Sequence, residues 1–183
     1  MENKNFWKET YQPLWDIADI KERKVKKLIE ELLNTEVSFY GLGAGQTKFI
    51  DGSAEDNNHK KGDADLYIKE YDTFIEVTGP TSKAYEEDSL WVRPDKITNS
   101  INKINKGIGK YHFVIHVARI NINKTIYRAI KLGEHLRIAY KEKSIKLIKP
   151  NLKGNIEEKY IEIPYNHNCV YSMEEFKNIL MAP

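Results

Sequence analysis

The sequence predicts a single α/β domain whose elements run α-β-β-β-α-β and then α-β-β-α. Three observations predict it. Apolar residues recur at helical spacing over 18–34 (Ala18, Val25, Leu28, Ile29, Leu32, Leu33). Residues 113–118 form an almost continuous apolar run, broken by His116, which suits a central buried strand. Two short segments, 66–68 and 74–77, alternate apolar and polar residues and are joined by a tight connection. A chain of 183 residues, 40% apolar and 31% charged, is long enough to bury one core.

In chain order, the aromatic-rich residues 1–17 (Phe6, Trp7, Tyr11, Leu14, Trp15) read as a helix or arm packed on the body. The helix over 18–34 follows, then a strand at 37–40 that ends at Gly41. Residues 51–63 are polar and read as a loop. After the strand pair, Pro94 and Asp95 open a helix with Ile97, Ile101 and Ile104 on one face, stopped by Gly107 and Gly109. Beyond the central strand, a helix is predicted over roughly 123–140. Residues 145–148 and 160–163 are expected to pair, and Ser172 with Glu175 forms a capping box for a last helix.

Nothing approaches a membrane span, and the N-terminus lacks a signal-peptide core, so a soluble cytoplasmic protein is expected. The single cysteine, Cys169, excludes an internal disulfide and a thiolate zinc site. The net charge of +2 hides an asymmetry. Residues 51–95 carry twelve acids against five bases, whereas residues 96–150 carry thirteen bases against Glu134 and Glu142. Acids cluster where cations bind and bases where phosphates bind, although a solvated surface gives the same pattern.

The candidate chemistry lies in the strand pair. Asp63, Asp65 and Tyr67 share one face of the first strand; Phe74, Glu76 and Thr78 share one face of the second. Pairing Leu66 with Ile75 sets Asp65 opposite Glu76 and Asp63 opposite Thr78. Carboxylates facing each other across strands repel, and a divalent cation between them relieves the repulsion. A one-residue slip mixes the two faces and is resisted. An ordinary hairpin with one wet acidic face would carry the same sequence. Glu22 falls in the series Ala18, Glu22, Val25, Ile29, Leu32; it is either an acid in an apolar stripe or a residue of a first helical turn. Gly41–Gly45 does not precede a helix and is not a dinucleotide loop, though Gln46 could stand near the site; His59 and His167 lack ligand partners. His112 and His116 read as packed residues of the central strand. On the helix expected from 123, Lys124, Arg128, Lys131 and His135 would form one basic stripe, a solvated face or a phosphate-backbone track.

The run GDADLYIKEYDTFIEVTGP resembles the core motif of the PD-(D/E)xK nucleases, the restriction-endonuclease-like superfamily. The resemblance covers roughly residues 18–118 and implies an α-β-β-β-α-β core with a mixed central sheet, residues 119–183 forming a C-terminal α-β-β-α extension. It implies that Asp65 and Glu76 bind Mg²⁺ or Mn²⁺, with Glu22 completing the shell, and that a lysine orients the attacking water. Thr78 stands where the family has that lysine. In some members, such as the influenza-type polymerase endonucleases to which DLYIKEYDTFIE is similar, the lysine has moved to the next helix. That similarity points to Lys96, with Lys103 as the second candidate; Asp63 and Thr78, on the same strand faces as the two acids, are accessory candidates. The implied activity is metal-dependent endonucleolytic hydrolysis of nucleic acid, DNA before RNA, of restriction or phage-defence type, with a homodimer for double-strand cleavage. The alternatives are an RNA endonuclease and a nuclease-like binding or interaction module that no longer cuts.

Overall fold

The computed structural model describes residues 4–41, 63–150 and 158–182. In chain order the elements are α1 (Lys4–Leu33), β1 (Ser38–Phe39), β2 (Leu66–Ile68), β3 (Thr73–Thr78), β4 (Leu90–Val92), α2 (Pro94–Asn105) and β5 (Tyr111–Asn121). There follow β6 (Lys124–Lys131), α3 (Glu134–Lys141), β7 (Lys146–Ile148), β8 (Tyr160–Ile163), β9 (Val170–Tyr171) and α4 (Met173–Met181). The fold is α/β with a mixed central sheet ordered β1-β2-β3-β5-β6-β9; a smaller sheet is ordered β4-β8-β7. Among the described residues β3 and β5 pair in parallel, and the other pairings are antiparallel.

Alternation along β2, β3 and β5 divides the core in two. Leu66, Ile68, Ile75, Phe113, Ile115 and Val117 pack on Val25, Ile29 and Leu33 of α1 and on Phe176 and Leu180 of α4. On the opposite face, Val114 and Ile130 meet Ile97 and Ile101 of α2, Leu136 of α3, and Leu90, Val92, Ile161 and Ile163 of the small sheet. The sheet is therefore covered on both sides, which explains why β5 is apolar along most of its length. His112 and His116 are buried in it, as expected for packed residues.

The β2–β3 register is the expected one, with Leu66 opposite Ile75. Its connection is a four-residue turn closed by a hydrogen bond from Asp72 N to Lys69 O, with Asp72 at φ +44°. Aspartate tolerates this left-handed conformation. The helix opened by Pro94 ends where expected: Gly107, at φ +70°, donates to Ile104 O, and Ile108 N donates to Lys103 O. The expected β7–β8 pairing is present, with β4 added on the far side of β8.

Three expectations change. The N-terminal arm and the helix over 18–34 are one helix, α1. The helix predicted over 123–140 is instead β6 followed by the short α3. Ile126, Tyr127, Ala129 and Ile130 satisfy helical and strand spacing alike. The deciding feature is the two-residue turn at Ile122 and Asn123, where Asn123 N donates to Asn121 Oδ1 and folds β6 back on β5. The tail consequently begins with a strand, and β9 adds a further short one. The glycine run beyond Gly41, Gln46, His59 and residues 51–62 of the polar loop lie outside the described residues, as do the side chains of Phe6, Trp7 and Tyr11.

The capping box of α4 forms as predicted. Ser172 Oγ accepts from Glu175 N at 3.2 Å, and Glu175 Oε2 accepts from Ser172 N at 2.7 Å. Since α4 brings Phe176 edge-on to Phe113, with ring centroids 4.9 Å apart, the cap stabilises a core element. Ser172→Ala is expected to cost about 1 kcal/mol, read as a lower urea midpoint at unchanged m-value.

Candidate active site

Where α1 passes the end of β3, a cleft of about 250 Å³ opens between α1, the β2–β3 pair and the start of α2. Its walls include Glu22 from α1, Asp65 from the approach to β2, Glu76 and Thr78 from β3, and Arg93 and Lys96 from the start of α2. Two chain crossings build it. Asp65 lies just beyond the last ladder pair, Leu66–Ile75, with its N–H on Ile75 O rather than paired to Glu76 as expected, and still lines the cleft with Glu76; the return of the chain to β5 lays α2 across them. At the α1 side, Lys21 Nζ donates to Gly79 O at 2.7 Å and to Pro80 O at 3.0 Å, tying the helix to the end of β3.

Asp65 is fixed by main chain on both sides. Its Oδ2 accepts from Val77 N at 2.7 Å, and its own N–H donates to Ile75 O at 3.0 Å. Lys96 Nζ donates to Glu76 Oε2 at 2.6 Å, the two side chains being 25% and 13% exposed. Burial raises the Glu76 pKa to about 8, the Asp65 charge adds to the rise, and Lys96 only partly offsets both. Asp65 is raised as well, by burial, against the pull of Lys96 and the Val77 N–H. Burial works against the charge on Lys96, yet Glu76 and Asp65 outweigh it and its pKa rises. The two crowded acids thus draw on Lys96, bonded to Glu76, and on the weaker field of Lys103.

Glu76 therefore binds its proton more tightly in the fold than in the unfolded chain. Its contribution to stability is complete below about pH 4.5 and is lost as the pH rises toward about 8. In EDTA, the wild-type melting temperature is expected to fall relative to that of Glu76→Gln between pH 5 and pH 8. The differential is on the order of a few kcal/mol, and parallel curves for the two proteins would contradict it.

The remaining candidates are placed as follows. Glu22 is buried, 4% exposed, and lines the cleft. Thr78 lines it too, opposite His116 in the β3–β5 pairing. Asp63 lies beyond the β2–β3 ladder; its Oδ1 accepts from Lys103 Nζ at 3.2 Å, so these two pair with each other seven positions along α2 from Lys96. The basic stripe does not form, because its helix does not. Lys124 and Arg128 lie on one face of β6, bonded to the Glu86 carboxylate and carbonyl respectively, while Lys131 points to the other face, over the Tyr111 ring. Reasoning from the sequence missed Trp15 and Arg93 as cleft residues. Arg93 had a legible signal: it stands just before the Pro94 that opens α2, three positions from Lys96.

Among the described residues no three His, Cys, Asp or Glu side chains converge closely enough to hold a metal ion on their own. The donor chemistry nevertheless fits Mg²⁺ or Mn²⁺. These ions take carboxylate oxygens, and Mg²⁺ commonly uses one or two carboxylates completed by waters and substrate phosphate. Asp65 and Glu76 supply such a pair, and Glu22 borders the same space. None of the described helices is long and apolar enough to cross a membrane. No protein-family model matches the chain, and neither a curated protein nor a solved structure matches it.

Proposed function

We propose that this chain is a metal-dependent phosphodiesterase acting on nucleic acid, with restriction-endonuclease-like architecture. The observation that carries the reading is the cleft that Asp65 and Glu76 line together, the charge of Asp65 disfavouring that of Glu76, with Lys96 on Glu76. The architectural part draws support from the succession of α1, the antiparallel β1-β2-β3 meander, α2 and the parallel strand β5. Asp65, Glu76 and Glu22 would hold Mg²⁺ or Mn²⁺. When bound, such an ion lowers the pKa of a water and stabilises charge on the phosphoryl oxygens. Lys96, raised in pKa and anchored on α2, stays protonated and can orient that water or neutralise developing charge. Arg93, half exposed at the edge of the cleft, suits a substrate phosphate. DNA is the first substrate to try, and a homodimer would bring the two sites that cutting both strands needs.

A second reading, a module that binds without cutting, is favoured by the same ion pair: an ammonium 2.6 Å from Glu76 can serve as a permanent replacement for the metal. The two are separated by incubating labelled duplex DNA, single-stranded DNA and RNA with Mn²⁺, Mg²⁺ or EDTA. Lys96→Ala is expected to lower the cleavage rate by about a hundredfold, and Lys103→Ala by less than about tenfold, because its ammonium lies on Asp63. Equal losses would assign the water-orienting role to neither lysine. Binding by the wild type with no cleavage under any metal would establish the second reading.

A further inference from the structure

The row of side chains that contains the two acids continues outward to the edge of the sheet. Tyr40 N donates to Asp65 O at 2.9 Å, so Tyr40 stands one strand away from Asp65, on the same face by the alternation of β1 and β2. Among the described residues this is the edge of the central sheet, and Tyr40 is 39% exposed. Its ring is seated on others from the next row: edge-on to Phe74 at 5.0 Å and tilted to Tyr67 at 5.8 Å. Tyr67 in turn lies 4.6 Å from Phe74, which stacks on His112 at 5.1 Å. Tyr67 is held by its hydroxyl, which donates to Asp72 Oδ1 at 2.9 Å. Lys103 Nζ sits 5.7 Å from the Phe74 centroid while bonded to Asp63.

A supported aromatic surface that ends in an exposed ring, beside two carboxylates, combines two complementary features. The ring offers a π-face, the acids offer a hard-cation site that can bring a phosphodiester to the cleft, and the α2 lysines, bonded to Glu76 and Asp63, hold those carboxylates in place. We infer that Tyr40, backed by Tyr67 and Phe74, stacks an unpaired nucleobase of the strand presented to the cleft. The inference rests on the proposed nucleic-acid reading and sharpens it. The substrate is single-stranded, or frayed or opened at the cut, because a base inside a closed duplex cannot offer its face to a ring at a sheet edge.

The test uses the full chain in EDTA, where binding is read without cleavage. Single-stranded DNA and RNA oligonucleotides and the duplex of the same sequence, each carrying 2-aminopurine, are titrated by anisotropy and by base fluorescence. The expected result is tighter binding of a single strand than of the duplex, with a change in 2-aminopurine emission. Tyr40→Ala should weaken single-strand binding about tenfold, and Tyr40→Trp should restore it. Duplex preferred over both single strands overturns the inference, as does Tyr40→Ala binding like wild type with no change in base emission. Should Tyr40→Ala fail to fold, Tyr40→Trp and the emission change decide. The two proposals fail separately: single-strand binding that depends on Tyr40, with no hydrolysis under Mn²⁺, keeps the stacking site and sinks the nuclease. Metal-dependent hydrolysis insensitive to Tyr40 does the reverse.

Discussion

Glu76→Ala is expected to reduce the proposed metal-dependent phosphodiester cleavage by about a hundredfold or more, while the protein remains folded. The loss of activity follows from the cleft, where Glu76 lines the wall with Asp65 and Glu22 and its removal leaves two of the three proposed ligands. The survival of the fold follows from the energetics of the same residue. Glu76 is a desolvated acid beside another acid, and its pKa of about 8 records that the ionised form is disfavoured there. Removing it relieves Asp65 of a like charge and leaves Lys96 facing Asp65, so a buried cation is not left without a counter-charge. Melting at pH 8 should accordingly be no lower than for wild type, and titration with Mn²⁺ should raise the melting temperature less than in wild type. Undiminished cleavage by the variant would place the chemistry elsewhere or in a contaminant.

Gly79→Ala is expected to have the largest effect on stability, costing on the order of 4–5 kcal/mol or more, a large part of an ordinary domain's 5–15 kcal/mol. Gly79 sits at φ +143°, and a Cβ there would lie 2.0 Å from Val117 O and 3.0 Å from Val117 N. The obstructing atoms are backbone of the central strand, so no side-chain rotation makes room. Nor can the Gly79 backbone back away freely, because Lys21 Nζ grips both the Gly79 and Pro80 carbonyls. Gly107→Ala is the matched control. Its φ of +70° is also left-handed, but nothing lies within 4 Å, so the cost should be about 1–2 kcal/mol. Urea unfolding of both variants checks the contrast; similar midpoints would mean that φ alone matters at residue 79.

What the sequence revealed of this molecule depended on whether one physical cause or several decided each element. The β2–β3 register was legible because Leu66 and Ile75 must share the core face and a slip would bury Asp65 or Glu76 there. The α2 boundaries were legible because Pro94 and Gly107 act locally. β6 was misread because Ile126, Tyr127, Ala129 and Ile130 fit both periods, and the turn at Ile122 and Asn123 lacks the glycine that marks most hairpins. β4 was not foreseen because it is three residues long and completes its pairing with β8, some seventy positions away. At the site, alternation alone brought Asp65 and Glu76 together. Lys96 entered through family resemblance, and Tyr40 was read merely as part of a strand.

The parallel pairing of β3 with β5 has a consequence for how the molecule assembles. The β2–β3 hairpin closes across a four-residue turn, an event of about 1–10 μs in isolated hairpins, and sets Asp65 against Glu76 as it forms. Lys96 is twenty positions further along and reaches Glu76 once the chain has crossed over and α2 has docked. Loop closure orders these events, the short-range contact before the long-range one. The two acids therefore meet before their cation arrives, and the early hairpin carries a repulsion that the finished protein has partly neutralised. Protonation of either acid relieves that early repulsion, so refolding should run faster in mild acid than at pH 8. The Lys96–Glu76 pair then closes over two acids that were already side by side, ahead of the longer-range β4–β8 pairing and the Lys21 tie to Gly79.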